Sequence, residues 1–317
     1  MSKKKSLSKL RKKYGKDVIK KGGMNEIKKF PTGIVTLDQL LQGGWPRGRW
    51  SMIFGQKATC KTSLCKYTAG KVQNDGGEVL VVDAENTWDP DYADQLGMDA
   101  NKAYYSRPST VEEMGSVVND FAPHVDLVVV DSIVSVSSEQ EKERELEDDT
   151  MALIPRKLSQ FFRMTNPVVG KSNAIVILVN QVRTNFAGHY AFDDFSGGNA
   201  LGHYTSVILK TSRGKSDDNP TRKIDGKKKE VGFNFNIELK KTKISSTEGQ
   251  SVNLNYYYKE PHFREEDDLF TAALVENIIE KNGSWYQMGD VKAQGKESFQ
   301  KKMREDEELF NKIKEEL

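Results

Sequence analysis

Four short apolar runs each end in polar residues. Residues 50–54 lead into the loop Gly55, Gln56, Lys57, Ala58, Thr59, Cys60, Lys61, Thr62; residues 79–82 lead into Asp83-Ala84-Glu85; residues 127–130 end at Asp131-Ser132; and residues 174–179 end at Asn180-Gln181. Runs of this length rich in Val, Ile and Leu read as strands buried on both faces, as in a parallel sheet. Helical spacing over residues 62–73, 111–121 and 151–165 alternates with them, the signature of an α/β fold. Ligands of open α/β sheets bind outside the carboxyl ends of the strands, so the four polar endings are expected to converge on one site.

Outside this core the pattern changes. Residues 7–19 are amphipathic and precede Gly22-Gly23, which predicts a small N-terminal helix on a tether. Residues 208–211, 231–240 and 251–258 read as strands, with turn signals at Asp217 to Pro220 and at Asp225-Gly226. From about Glu260 the pattern turns helical, with a short Trp285-Tyr286 insertion, and suggests a small C-terminal α/β lobe. The expected division is 1–30, 31–259 and 260–317.

Net charge is only +2 over 317 residues, so contact with a polyanion must come from local clusters. One is the lysine-rich start. The other, Arg222, Lys223, Lys227, Lys228 and Lys229, reads as a solvated face. The two cysteines, Cys60 and Cys65, allow neither a disulfide framework nor a four-ligand zinc site, and the four histidines lack metal-ligand spacing. No apolar stretch approaches the roughly 20 residues that cross a bilayer, which predicts no membrane partner and a cytoplasmic location.

The loop from Gly55 names its ligand as a nucleoside triphosphate. Backbone N–H groups at a helix N-terminus can wrap phosphates while Lys61 reaches the outer ones and the Thr62 hydroxyl serves Mg²⁺. Cys60 stands where the phosphate-loop pattern asks for glycine, a strain of roughly 1–2 kcal/mol if that position takes a positive φ. Asp131, ending a buried strand, reads as the carboxylate that orients Mg²⁺ through water, with a helix N-cap as the plainer alternative. Glu85 is placed to orient and deprotonate an attacking water, or is a solvated loop residue. Gln181 ends a fourth strand, where an amide can sense the γ-phosphate.

Taken together the residues resemble the RecA family of bacterial recombinases along nearly the whole chain. The similarity runs through Asp83-Ala84-Glu85 with Asp89-Pro90 and Tyr92-Ala93, then Asn180 to Arg183, Gly197 to Leu201, Lys241-Thr242-Lys243, and Gly283 to Tyr286 with Gln294 to Lys296. The resemblance implies a P-loop ATPase core of mostly parallel sheet, with Lys61, Glu85, Gln181, Lys241 and Lys243 in catalysis. Nucleotide would be held by the loop from Gly55 through Ser63, by Asp131, and by Asp89 and Tyr92 at the adenine. It implies a first DNA loop at about 143–152 carrying Met151, with Arg156 and Arg163 on the helix behind it. A second loop, about 183–198, would carry Arg183, Tyr190, Gly197, Gly198 and Asn199, with Phe186, Phe192 and Phe195 as further aromatics. Lys241 and Lys243 would reach the γ-phosphate of the adjacent protomer. ATP and Mg²⁺ would be the cofactors. The partners would be single-stranded and double-stranded DNA and further copies in a helical filament, with single-strand-binding and mediator proteins beside them.

Some positions depart from the family pattern. Cys60 is one; Asp193 and Asp194 put negative charge in the second loop; Gly202-His203 stands at a subunit contact; and a long acidic tail is missing. The expected function is a DNA-dependent ATPase and homologous recombinase. A hexameric helicase shares the core, and a regulatory paralogue with little turnover is kept open by Cys60.

Overall fold

The computed structural model describes residues 3–15, 26–137, 153–187 and 190–317. Helix α1 (Lys3–Tyr14) leaves Leu7, Leu10 and Tyr14 exposed. The tether at 16–25 lies outside the described residues. A ribbon of β1 (Lys29–Phe30) and β2 (Trp45–Pro46) brackets α2 (Val35–Leu40). There follow β3 (Arg49–Gly55), α3 (Lys61–Asn74), β4 (Val79–Asp83), α4 (Pro90–Gln95), β5 (Tyr104–Ser106), α5 (Val111–Phe121) and β6 (Leu127–Asp131). Then come α6 (Leu153–Val169), β7 (Ile175–Ala187), β8 (Tyr190–Phe195), α7 (Asn199–Tyr204) and β9 (Val207–Arg213).

Past β9 the chain forms a hairpin of β10 (Thr221–Ile224) and β11 (Lys227–Glu230), then β12 (Gly232–Thr242) and β13 (Ser251–Tyr257). Asp225 at φ 53 and Gly226 at φ 75 make the two-residue turn that such a hairpin needs, and its five basic residues are all exposed, as a solvated face requires.

The nine-stranded sheet has the order β13-β12-β9-β3-β7-β6-β4-β5, with β8 paired to β7. From β9 to β5 every neighbouring pair is parallel, and β12 and β13 join antiparallel. Alternation along the strands makes two cores. Ile53, Val81, Val129 and Ile177 face Leu64, Cys65 and Ala69 of α3. Met52, Leu80, Val128 and Val176 face Met114 of α5 and Phe161 and Phe162 of α6. The central strands β3, β4 and β6 are therefore buried on both faces, and apart from Ser51 their buried polar residues lie towards the carboxyl edge.

One expectation needs correction. Asn180 and Gln181 do not end their strand: β7 continues to Ala187 and returns as β8, pairing Val182 with Phe195 and Ala187 with Tyr190. Much of the expected second loop is thus a β-hairpin, because two facing runs of Val, Thr, Phe and Tyr pair their backbone groups with each other. The C-terminal α/β lobe is as expected, and the short insertion at Trp285-Tyr286 proves to be part of a three-stranded sheet. Here β14 (Glu280–Asn282), β15 (Trp285–Met288) and β16 (Val291–Gln294) form an antiparallel sheet packed with α8 (Glu265–Val275), α9 (Lys296–Glu305) and α10 (Glu307–Glu316).

This C-terminal unit is joined to the core by hydrogen bonds to a buried carboxyl and by Val35, which packs on its apolar cluster. Helix α2 has no capping side chain of its own. Asp268 supplies one from α8, accepting from Val35 N, from Thr36 N at 3.1 Å and from the Thr36 hydroxyl at 2.5 Å. Asp38 accepts from Thr32 N at 2.6 Å. Burial pushes the Asp38 carboxyl up to about 6, with Asp268 adding repulsion, and burial also raises Asp268.

A carboxyl raised in the folded state takes up a proton on folding between about pH 4 and 6, so its ionisation weakens the fold as pH rises through that window. Asp38→Asn keeps the acceptor oxygen and removes the charge. It should raise unfolding free energy by about 1–3 kcal/mol at pH 7.5, and the gain should shrink towards pH 4.5. Denaturant melts at the two pH values check this; an equal gain at both would exclude the charge as its cause.

Candidate nucleotide site and nucleic-acid interface

The phosphate loop follows from backbone constraints. Gly55 closes β3 where a Cβ would lie 2.3 Å from the Thr211 carbonyl oxygen, so only glycine fits. Ala58 at φ 58 and Cys60 at φ 64 are left-handed, and Cys60 leads into α3 without a side-chain cap. The strain foreseen at Cys60 is present. The Thr59 hydroxyl donates to Gln56 O at 2.8 Å and lies 2.7 Å from Thr211 Oγ1, holding the loop against β9. Gln56 and Lys57 are exposed. The first turn of α3 thus offers N–H groups to an anion. Lys61 donates across the mouth to Gly55 O at 3.0 Å and Gln56 O at 2.6 Å, and burial lowers its pKa against the pull of Asp131 and Glu85.

Asp131 ends β6 opposite α3, and the Thr62 hydroxyl donates to its Oδ2 at 2.6 Å. Burial pushes Asp131 up to about 6, and Glu85 and Asp83 add repulsion. One hydroxyl and one carboxylate held together, with surplus negative charge around them, is a donor set that suits Mg²⁺. Glu85 lies one strand over. Burial would raise its carboxyl, but hydrogen bonds from Ser132, Gln181 and Ser135 and the charge of Lys61 bring it below the usual value. Gln181 Nε2 donates to Glu85 Oε1 at 2.8 Å and Ser135 Oγ donates to the same oxygen at 3.0 Å. The two residues read separately along the chain are therefore in contact.

Asp89 caps α4 through Tyr92 N at 3.2 Å. The Tyr92 hydroxyl lies 2.6 Å from Ser63 Oγ and 2.9 Å from the Tyr256 hydroxyl, so Ser63 is engaged with the tyrosine. Lys66, on the buried face of α3, was not singled out along the chain. It is 1% exposed; its Nζ donates to Asp89 O at 3.1 Å and sits 4.4 Å from the Trp88 ring centre and 4.6 Å from that of Tyr92. The only hint of it in the chain is a lysine among apolar positions of one helical face; Tyr256, from a distant strand, had none.

On the other side of the sheet Arg156, Arg163 and Asn199 come together with His203 and Tyr204 around a depression of about 570 Å³. Gly197 and Gly198 have φ of 101 and 79, and Gly198 starts α7. A Cβ at Gly197 would meet Leu201 Cδ1 at 2.3 Å. Arg183 is exposed on β7 opposite Asp194. Phe195, expected as a loop aromatic, packs edge-on against Phe54 at 5.6 Å. Phe186, Tyr190 and Phe192 fall on β7 and β8, with side chains outside those described. Met151 and the first loop lie outside the described residues.

Lys241 and Lys243 are not a plain solvated edge. A bulge after Leu239 turns the end of β12, and both ammonium groups reach the carboxyl end of α7. Lys241 donates to Gly202 O and Lys243 to His203 O at 2.6 Å.

Comparison with known proteins matches residues 2–261 to the family model described as the RecA N-terminal domain and 267–317 to the RecA C-terminal domain. Protein RecA of Chlorobium limicola is 32% identical over 313 residues, 96% of this chain and 87% of that one. Protein RecA of Borreliella burgdorferi is 32% identical over 299 residues, 90% and 78% of the two chains.

Relief of a left-handed backbone at Cys60, worth roughly 1–2 kcal/mol, is offset in Cys60→Gly by lost burial and a freer unfolded chain. That variant should bind nucleotide and stay within about 1 kcal/mol of wild-type stability. Cys60→Val, β-branched at a positive φ, should lose more than about 2 kcal/mol and release nucleotide. Denaturant melts with nucleotide titrations check both; equal stability of the two would show that φ is not held there. Burial also pushes the Cys60 thiol up to about 12, so it should resist alkylation at neutral pH until the chain unfolds.

Proposed function

The chain belongs to the RecA family, and from that premise we propose that it is an ATP-dependent homologous recombinase. It forms filaments on single-stranded DNA and catalyses pairing and strand exchange with duplex DNA. The observation that carries this reading is the Glu85–Gln181 bond at 2.8 Å. It joins a carboxylate beside the phosphate loop to the strand that continues into the β7–β8 hairpin, so the two sites share a side-chain contact.

In this reading the α3 N-terminus and Lys61 bind the phosphates, and Asp89 and Tyr92 contact the adenine. Thr62 and Asp131 would hold Mg²⁺, which supplies neutralisation of phosphate charge when bound. Glu85, kept ionised by its hydrogen bonds, orients a water and takes its proton as the water attacks the γ-phosphorus and the bond to the β-phosphate oxygen breaks. Gln181 follows the γ-phosphate through Glu85 and shifts the hairpin. Arg156, Arg163, Arg183, Gly197, Gly198 and Asn199 bind the DNA backbone, joined by Met151 of the first loop and Tyr190 of the second. Lys241 and Lys243 extend to the γ-phosphate of the neighbouring protomer and stabilise charge there. The exposed apolar face of α1 docks on that neighbour. The non-hydrolysing paralogue is disfavoured by the match to both family domains and by the relatives named Protein RecA.

Glu85→Gln retains shape and loses the base. It should bind ATP and single-stranded DNA as wild type does while phosphate release falls at least about a hundredfold. Turnover at the wild-type rate would remove Glu85 from the mechanism.

The interface role of the two lysines has its own test. Lys241→Ala with Lys243→Ala should abolish DNA-stimulated hydrolysis and leave ATP binding by single protomers nearly intact. Mixed with Lys61→Ala protein, each variant supplies the half-site the other lacks, so turnover should return in part. Mixed filaments seen by electron microscopy but without hydrolysis would show that the lysines do not act in trans.

A further inference from the structure

Lys66 has no place in the reaction just described, and its surroundings are unusual for a lysine. An ammonium withdrawn from water is costly unless its charge and its N–H groups are met. Its ammonium donates to the Asp89 carbonyl and lies over the rings of Trp88 and Tyr92, while the charges of Asp89, Asp131 and Asp83 act on it electrostatically. The three contacts, with Asp89, Trp88 and Tyr92, all fall in one five-residue stretch. Packing alone would be served by an aliphatic side chain on this buried face, where Leu64, Cys65 and Ala69 already sit. The charge adds direction, because cation–π attraction and a charged donor hold ring planes and a carbonyl in defined positions.

Ser63 strengthens the case. It lies three residues before Lys66, on the same side of α3, and meets the hydroxyl of the Tyr92 ring that the ammonium covers. Tyr92 is thus fixed at two points by the helix whose first turn forms the phosphate site, and Asp89 is fixed through its carbonyl. These contacts fix the Trp88–Tyr92 segment relative to the first turn of α3.

We propose that Lys66 is a positioning residue of the nucleotide site, holding the Trp88–Tyr92 segment in the geometry that receives the base. The proposal rests on the reading of Asp89 and Tyr92 as base contacts. Its consequence is selective: Lys66 acts on the part of nucleotide affinity that comes from the base.

Calorimetric titration of the full-length protein with ATP and with inorganic triphosphate, which lacks the base, tests it. Lys66→Met matches the stem and removes the charge; Tyr92→Ala serves as the reference for the base contact. Lys66→Met should weaken ATP by about tenfold and leave triphosphate within about twofold of wild type. Trp88→Leu, which removes one ring and keeps the lysine, should give a smaller loss of the same kind, so the test survives if Lys66→Met melts at the assay temperature. Selective loss of ATP in Tyr92→Ala with none in Lys66→Met or Trp88→Leu would overturn the role of Lys66 and leave the base reading standing. Equal change for both ligands in Tyr92→Ala would overturn the base reading and this inference with it. Equal weakening of both ligands in Lys66→Met would assign the lysine to the phosphate loop instead, and would also overturn it.

Discussion

Burial of the parallel sheet on both faces is the constraint on which the site depends. Strands β4 and β6 are buried at every residue, and their alternating side chains fill two separate cores. A strand so enclosed can carry polar chemistry only at its ends, since an unpaired polar group in either core would cost free energy. Gly55, Asp83 with Glu85, and Asp131 therefore gather along one edge. The parallel direction of β3, β4, β6 and β7 makes it the same edge for all of them.

That edge holds charge and strain in excess. Burial, with repulsion from Glu85 and Asp83, drives Asp131 towards its neutral form beside the partly buried Lys61. Cys60 and Ala58 hold left-handed backbone. Both costs fit a site whose partners are a polyphosphate for the helix N-terminus and Lys61, and a divalent cation for Asp131. Functional sites commonly store strain and unbalanced charge in this way, while the surrounding core over-determines the geometry.

The same edge explains how nucleotide and nucleic acid can be coupled. Gln181 bonds Glu85, and the adjacent Asn180 holds Ser196 O at 2.8 Å, at the far side of the β7–β8 hairpin. From there Gly197 and Gly198 lead into α7, whose carboxyl end is held by Lys241 and Lys243. Hydrogen bonds and the chain between them thus connect the carboxylate beside the phosphate loop, past the hairpin, to the end of β12.

Much of this was legible along the chain. Short Val-, Ile- and Leu-rich runs ending in Gly55, Glu85, Asp131 and Gln181 reveal a buried parallel sheet with one site, because period and composition are local properties. The sequence raised a positive φ at Cys60 only as a condition, and the structure meets it at φ 64. What the tertiary structure decided was pairing. The β7–β8 hairpin depends on which run faces which, and the cap that Asp268 lends to α2 joins residues more than 200 positions apart. Lys66 reads as one basic residue in a helix until Trp88 and Tyr92 close over it, and the contacts of Lys241 and Lys243 with the carboxyl end of α7 come from a segment some 40 residues away. Contacts of this kind depend on how distant segments pack, and no local pattern of residues encodes that.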